Sequence, residues 1–290
     1  MKRILVASDL TARSDRAVQR ALKMAAAFGA ELKVVHVIDE TLSAPLALKH
    51  QEAARDALAA QILAAGGGTG AAVSQEVLPG VDYRDIAGRA QEWGADLVVL
   101  GVHRHGTREL FRGTTSERVV RYGAVPVLIV KHTVGHPYRT VLAAVDLSSH
   151  SLAAVRTASQ LVPGGHVSIV YAAHRPFNAF LSRASQDQMV RSQHACFAAE
   201  IGALTKQLSV ELGEAVPEFT FIMTEGEIEH VMRRLAEEHK PDLIAVGTHG
   251  RAAFAQAIIG SVAEGLLAET PCDVLAVKAP LVSTQDEDCP

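Results

Sequence analysis

The chain has 290 residues, of which 48% are apolar and 21% charged, and its formal net charge is −4 at pH 7. This balance is typical of a globular protein, and the slight negative charge argues against a nucleic-acid binder, which usually carries a basic surface. No run of about 18 apolar residues occurs, and the opening Met-Lys-Arg leads into a strand pattern rather than a cleavable signal. We therefore expect a cytoplasmic protein of about two domains, without a membrane span.

Strand-like and helix-like segments alternate along the first half of the chain. In order, the sequence predicts a strand at 4–8, a helix at 14–28, a strand at 32–38, a helix at 46–65, a strand at 73–78, a helix at 83–93, a strand at 97–100, a helix at 116–122 and a strand at 127–130. Apolar residues recur on one face of the first helix, and Gly29 follows it as a common C-terminal stop. Strands that alternate with helices predict parallel pairing through right-handed crossovers.

The second half of the chain repeats this order, with a longer second helix at about 181–212. Residues of the two halves match in pairs at corresponding places: Asp9 with Asp146, Gly101 with Gly247, and His103 with His249. Each copy is about 140 residues long, which is enough for a core of its own, so we predict two tandem domains. We place them at 1–133 and 138–279, joined by a short linker and followed by a disordered tail at 280–290.

These patterns predict an α/β fold of two doubly wound domains, each with a five-stranded parallel sheet. The nearly continuous apolar runs fit strands that helices cover on both faces. In such sheets a ligand binds beyond the carboxyl ends of the strands, where the winding direction reverses. Asp9 and Asp146 follow the first strand of each copy. Gly101 and Gly247 end the fourth strand, so they are expected at the same edge.

A glycine-spaced loop follows the fourth strand of the second copy. Its glycines are Gly247, Gly250 and Gly260, and Ser261 comes directly after the last one, at the start of a predicted helix. Backbone N–H groups and the positive end of a helix dipole converge at such a place, and glycine lets an anion approach the chain closely. The sequence therefore predicts a phosphate-binding loop; glycines that serve only as turns are the alternative.

These residues resemble the universal stress protein family over 1–131 and 138–278. The shared pattern is Gly-x2-Gly-x9-Gly-Ser/Thr after the fourth strand, an aspartate at the end of the first, and a fifth strand of Val-Pro-Val type. The resemblance implies a Rossmann-like fold of the adenine nucleotide alpha hydrolase kind, a role in the stress response, and bound ATP, with or without magnesium. It also implies that the fifth strands of the two copies pair edge to edge. Because soluble oligomers are commonly two-fold, we also consider a homodimer.

The resemblance assigns the ligand mainly to the second copy. The implied contacts are Asp146 with the adenosine part, the backbone of Ala172 with the adenine, and Gly247, Gly250, Gly260 and Ser261 with the triphosphate, to which Arg251 could add a charge-assisted contact. The alternative for Asp146, and for Asp9 in the first copy, is a carboxylate that only caps the following helix or turn.

The first copy departs from this pattern. Its matching positions are Asp9, Val37, Gly101, Gly113 and Thr114. However, Arg104 stands where the second copy has Gly250, and the loop is one residue shorter. A side chain at Arg104 could block the site or could itself hold a phosphate. We therefore expect the main site in the second copy.

The sequence shows no catalytic group for chemistry on a bound nucleotide. It has no Gly-x4-Gly-Lys-Ser/Thr loop, and no base or pair of magnesium-binding carboxylates accompanies the glycine loop. His103 and His105 lack further ligands at metal spacing, so we expect no metal site. We expect a nucleotide-binding regulator without catalytic residues. The alternatives are a slow ATPase or phosphotransferase and a nucleotide-free interaction scaffold.

Overall fold

A computed structural model describes residues 1–67, 70–102, 113–133, 135–173, 183–249 and 259–279. The loop with Arg104, the loop with Gly250 and Arg251, and the 280–290 tail lie outside these residues. The first repeat comprises β1 (Arg3–Ala7), α1 (Ala12–Phe28), β2 (Glu31–Asp39), α2 (Ala44–Ala64), β3 (Ala72–Gly80), α3 (Asp82–Trp93), β4 (Leu97–Gly101), α4 (Thr115–Tyr122) and β5 (Val127–Val130). The second comprises β6 (Thr140–Val145), α5 (Ser149–Leu161), β7 (His166–Ala173), α6 (Arg183–Leu212), β8 (Glu218–Glu225), α7 (Ile228–His239), β9 (Leu243–Gly247), α8 (Ser261–Glu269) and β10 (Asp273–Val277).

The described strands form one continuous sheet in the order β3-β2-β1-β4-β5-β10-β9-β6-β7-β8. Within each repeat all neighbouring strands are parallel, and the winding direction reverses between the first and fourth strands. The prediction of an α/β fold with two repeated, doubly wound domains is confirmed. The reversal opens a crevice at the carboxyl ends of these strands, where such sheets usually bind ligands.

The two repeats meet at the antiparallel pair of β5 and β10. The partners across this joint are Val274 with Ile129, Leu275 with Leu128, and Ala276 with Val127. All six side chains are buried. Because successive side chains of a strand point to opposite faces, Leu128 and Leu275 enter one apolar layer and Ile129 and Val274 enter the other. The joint therefore lies in the interior of the molecule rather than at a surface contact.

Helices cover the two faces of the sheet in separate sets. Apolar residues of α1, α2, α5 and α6 form one layer, and those of α3, α4, α7 and α8 form the other. The strands of the centre are buried on both faces, which explains their unbroken apolar runs. In the part of the chain that the structure describes, no helix combines the length and the apolar character that a membrane crossing needs.

A charged cluster, centred on Asp273, is buried beside the joint. The hydroxyl of Tyr138 donates to Asp273 Oδ2 at 2.5 Å, and the backbone N–H of Lys131 donates to Oδ1 at 2.8 Å. Arg20 Nη2 of α1 lies 3.6 Å from the same carboxylate, and its guanidinium packs on the Tyr138 ring, 4.1 Å from the centroid. Arg20 Nη1 also donates to the carbonyl of His136 at 2.8 Å. One carboxylate of the second repeat thus holds both the linker and the first helix.

Cys272 lies next to this cluster, and its buried thiol should make the free energy of unfolding depend on pH. Its thiol is 7% exposed, and burial raises its pKa from the ordinary 9.0 to about 12. As pH rises, the thiol ionises in the unfolded chain before it does so in the folded protein. The contribution of the buried, neutral thiol to the free energy of unfolding is therefore complete below pH 9.0 and declines as the pH approaches 12.

We expect the free energy of unfolding of the wild type to fall, between about pH 7.5 and pH 10, by about 1.4 kcal/mol more than that of Cys272→Val. Urea denaturation of both proteins under reducing conditions measures the difference. The comparison cancels the titration of the other groups, which both proteins share. If the free energies of unfolding of the two proteins changed in parallel with pH over this range, the raised pKa of Cys272 would be contradicted.

Candidate functional site

A cavity of about 420 Å³ opens at the carboxyl edge of the first repeat. Its walls come from the ends of β1, β2 and β4 and from the start of α4. The five residues that the sequence assigned to this copy all line it: Asp9, Val37, Gly101, Gly113 and Thr114. The structure therefore brings these separated positions together in one cavity, of the size range typical of small-molecule sites.

A polar floor lies beneath this cavity, and the sequence analysis missed it. Ser8 and Ser14 line the cavity, and their hydroxyl oxygens lie 2.9 Å apart. Gln61 of α2 accepts a hydrogen bond from Ser8 at 2.6 Å. His36 Nδ1 lies 2.8 Å from the carbonyl oxygen of Ser8 and therefore donates to it. The available signal was Ser8 itself, a hydroxyl at the end of an otherwise apolar strand.

Asp9 and Asp146 occupy equivalent turns after the first strand of each repeat. Asp9 Oδ1 accepts from the N–H of Thr11 at 3.0 Å and from its hydroxyl at 2.7 Å. Asp146 Oδ1 accepts from the N–H of Ser148 at 3.0 Å and from its hydroxyl at 2.6 Å. The turn-capping role, considered from the sequence as the alternative, is therefore present in both repeats. In each turn it engages Oδ1 of the carboxylate.

The residue after each aspartate has a left-handed backbone. Leu10 has φ of 59° and Leu147 has φ of 65°, a conformation that costs a leucine on the order of 1–3 kcal/mol. Both side chains pack against the core, which helps to hold this conformation. The same strained turn in both repeats fixes where Asp9 and Asp146 point.

Gly101 and Gly247 are required by the close approach of a helix. A Cβ atom on Gly247 would lie 2.7 Å from the backbone nitrogen of Ser151, and one on Gly101 would lie 2.9 Å from the carbonyl oxygen of Arg13. In each repeat the end of the fourth strand thus touches the start of the helix that follows the first strand. This packing requires a glycine at both positions, a structural role that was not predicted from the sequence.

Gly247→Ala should therefore lower the free energy of unfolding by about 1–3 kcal/mol, because α5 must move away from β9 to make room. The matched control is Gly202→Ala on α6, where the position is exposed and a Cβ would meet nothing within 4 Å. That control should be neutral or should stabilise by up to about 1 kcal/mol. Chemical denaturation measures both, and equal midpoints would contradict the role of close approach.

The two helix starts at the predicted phosphate-binding position differ. At α4, Thr114 Oγ1 accepts from the N–H of Glu117 at 3.2 Å, and the Glu117 carboxylate accepts from the N–H of Gly113. Glu117 is 2% exposed and also pairs with Arg121. This arrangement resembles a capping box and gives side-chain acceptors to the N–H groups of Glu117 and Gly113. At α8 the cap is Gly260, and no described side chain caps this helix.

In the second repeat, short contacts link the predicted residues. The hydroxyl oxygen of Ser148 lies 3.3 Å from the carbonyl oxygen of His249, and the N–H of Gly260 donates to the carbonyl of Thr248 at 2.8 Å. These contacts connect the Asp146 turn, the end of β9 at Gly247 and the start of α8 at Ser261. Ala172 lies on β7, next to β6 in the sheet. Gly250 and Arg251 lie outside the described residues.

Two histidines meet at this edge of the second repeat. The rings of His150 and His249 lie 5.1 Å apart between centroids, and His249 Nδ1 lies 3.0 Å from the hydroxyl of Thr248. Burial, and then the neighbouring His249, lower the pKa of His150, while Asp146 opposes this shift. The sequence matched His249 with His103, which lies outside the described residues. His150 was missed, since nothing in its local sequence distinguishes it from a surface residue.

Among the residues that the structure describes, no group of three or more His, Cys, Asp and Glu side chains could hold a metal ion. The described chemistry of the site is therefore that of hydroxyls, backbone N–H groups, imidazoles and single carboxylates.

The fold and these edges define a tandem Rossmann-like α/β protein. The sequence profile of the universal stress protein family matches residues 1–131 and 137–278, and the chain belongs to that family.

Individual relatives match one repeat or the whole chain. A universal stress protein of Methanocaldococcus jannaschii is 28% identical over 144 residues, which cover 45% of this chain and 82% of the relative. A universal stress protein of Thermus aquaticus is 29% identical over 148 residues, covering 49% and 99%. The crystal structure of a universal stress protein from Archaeoglobus fulgidus covers 96% of both chains with a TM-score of 0.66 and 20% identity. At that identity the structural match shows the tandem fold alone.

Proposed function

We propose that this chain is an ATP-binding regulator of the stress response whose main nucleotide site lies in the second repeat. The residues assigned to that site are Asp146, Ala172, Gly247, Gly250, Arg251, Gly260 and Ser261. Membership of the universal stress protein family supports the proposal, because the second repeat carries the nucleotide signature of the family at an unbroken spacing. The boundaries 1–133 and 138–279 and a cytoplasmic location belong to the same proposal.

The observation that carries the proposal is the difference between the starts of α4 and α8. The first N–H groups of a helix need acceptors, and at α4 Thr114 supplies one for Glu117, while the Glu117 carboxylate accepts from the N–H of Gly113 just before the helix. At α8 Gly260 supplies no side chain, so a phosphate would be a suitable acceptor. Ser261 adds a hydroxyl at the same place. A polyanion is therefore favoured in the second repeat and disfavoured in the first.

The first repeat has a secondary role in this proposal. Its 420 Å³ cavity would admit an adenosine, with Val37 near the base and Asp9 near the ribose. At the phosphate end, however, the carboxylate of Asp82 lines the cavity and accepts from the hydroxyl of Thr115. The described lining thus holds two carboxylates, Asp9 and Asp82, against the single guanidinium of Arg13, and this balance disfavours a polyphosphate. We therefore propose that the first repeat binds ATP more weakly than the second.

An enzyme that hydrolyses ATP slowly is the first alternative. The glycine loop motivates it, but the described residues of the second site include no group of three or more His, Cys, Asp and Glu side chains that could hold magnesium. A nucleotide-free scaffold is the second alternative, and the capped start of α4 favours it for the first repeat. The two alternatives differ in the fate of added ATP: an ATPase hydrolyses it, and a scaffold does not bind it.

Native mass spectrometry of protein purified without added nucleotide tests the proposal. We expect the mass of one adenine nucleotide on part of the molecules, and saturable ATP binding in titration calorimetry with a stoichiometry near one. Unchanged ATP after hours with Mg²⁺ supports the regulator, and steady release of phosphate supports the ATPase. Failure to bind ATP, added in excess with or without Mg²⁺, would leave only the scaffold.

Self-association is a further part of the proposal. We propose a homodimer that uses a surface other than the sheet joint, because β5 and β10 already pair with each other within one chain. Light scattering coupled to gel filtration measures the mass in solution. A mass of one chain over the accessible concentration range would reject the homodimer without affecting the nucleotide site.

A further inference from the structure

A second cavity, of about 250 Å³, lies between the repeats and away from both nucleotide crevices. It is bounded by the second half of α1, by the linker at Pro137 and Tyr138, and by the turn after α5. Met24, Phe28 and Leu161 provide apolar walls. We call it the junction cavity.

The charged residues that line the junction cavity are cations. They are Arg20, Lys23 and Arg139, with His136 beside them, and none of the described lining residues is a carboxylate. Behind this lining, Asp273 lies 3.6 Å from Arg20, and Asp242 lies 3.7 Å from His136 Nε2. The charges on the described lining itself are positive.

Arg20 is the lining cation whose position is fixed by the fold. The residue is only 6% exposed, and its guanidinium is held by Asp273 and by the His136 carbonyl. Its Nε makes no hydrogen bond to any residue of the described chain. A buried guanidinium that is incompletely hydrogen-bonded is costly, and an anion nearby reduces that cost. The protein therefore keeps a desolvated cation at the wall of a largely apolar cavity.

From these observations we propose that the junction cavity binds a small amphipathic monoanion, an aliphatic carboxylate in particular. The apolar walls accept the hydrocarbon part, while Arg20, Lys23 and Arg139 attract the carboxylate. Inorganic phosphate would lose hydration against these walls without hydrophobic gain, and a nucleotide is too large for about 250 Å³. The site is separate from the proposed ATP sites, so the two proposals can fail independently.

Octanoate is the probe for this site, measured by titration calorimetry with the full-length protein. We expect saturable binding, at least about tenfold weaker binding of the uncharged octanamide, and no competition from saturating ATP. Equal affinity for octanoate and octanamide would overturn the charge argument, and competition by ATP would place the probe in a nucleotide crevice instead. No saturable heat with octanoate up to about ten millimolar would overturn the proposal outright.

A pair of adjacent substitutions locates the probe. Ala27 and Ala26 are both exposed on α1, but only Ala27 lines the cavity. Ala27→Trp should fill the cavity and weaken octanoate binding at least about tenfold, while Ala26→Trp should stay within about twofold of the wild type. Similar binding by both variants would overturn the location. The octanamide comparison uses the wild type alone, so the proposal stays testable even if a variant misfolds.

Discussion

Replacing Asp273 with alanine should lower the free energy of unfolding by about 3–5 kcal/mol. Asp273 is 2% exposed, and its removal leaves the buried guanidinium of Arg20 without its counter-charge. The hydroxyl of Tyr138 and the backbone N–H of Lys131 lose their acceptor at the same time. The cost arises mostly from these stranded groups rather than from the strength of any one contact. Urea denaturation followed by circular dichroism measures the change.

Two further variants separate this explanation from a general loss of charge. Glu238→Ala removes one partner of an exposed pair with Arg234, 3.2 Å apart, and should cost less than about 1 kcal/mol. Adding Arg20→Met to Asp273→Ala should restore part of the lost stability, because the double variant no longer contains the buried guanidinium that Asp273→Ala leaves without its counter-charge. Additive losses in the double variant, or a loss for Asp273→Ala no larger than for Glu238→Ala, would refute the stranded-charge explanation.

Asp146→Ala should weaken ATP binding by roughly ten- to a hundredfold, whereas Asp9→Ala should change it by less than about twofold. The expectation rests on the proposed main site in the second repeat, where Asp146 would contact the adenosine part. The two variants are matched, because each aspartate accepts hydrogen bonds from the backbone and hydroxyl of the residue two positions later. Structural damage to the turn should therefore be similar in both.

Titration calorimetry with ATP gives the affinities, and thermal melting checks that both variants remain folded. A large loss for Asp9→Ala with none for Asp146→Ala would move the main site into the 420 Å³ cavity of the first repeat. If neither variant changed the affinity for ATP, both aspartates would act only as turn-capping residues.

The alternation of elements could be predicted from the sequence because periodicity and glycine stops are local signals. The errors at element ends also have local causes. Helix α1 begins at Ala12, two residues before the predicted start, because Thr11 caps it and accepts from the N–H of Arg13. Strand β3 continues through Pro79 to Gly80 instead of stopping at 78. It lies at the edge of the sheet, where a proline without an N–H is tolerated.

The tertiary polar contacts could not be predicted from the sequence. Arg20 and Asp273 are far apart along the chain, and no local pattern indicates that they meet beside the joint. Likewise, Ser14 reads as an ordinary helix residue, yet it contributes to the floor of the first cavity. The family pattern placed Thr114 at a phosphate, but only the structure shows that Thr114 and Glu117 cap the helix there. Such contacts depend on how elements pack, which local sequence patterns do not encode.

The pairing of β5 with β10 has a consequence for how the two halves can diverge. Because the contact is made within one polypeptide, dilution cannot separate the halves, and every molecule contains one of each. In an assembly of two identical chains, any substitution would alter both crevices together. Here one repeat can change while the other is kept, and the two sequences do differ, since Arg104 stands in the first repeat where the second has Gly250. Covalent linkage thus allows one half to specialise without loss of the stoichiometry of the pair.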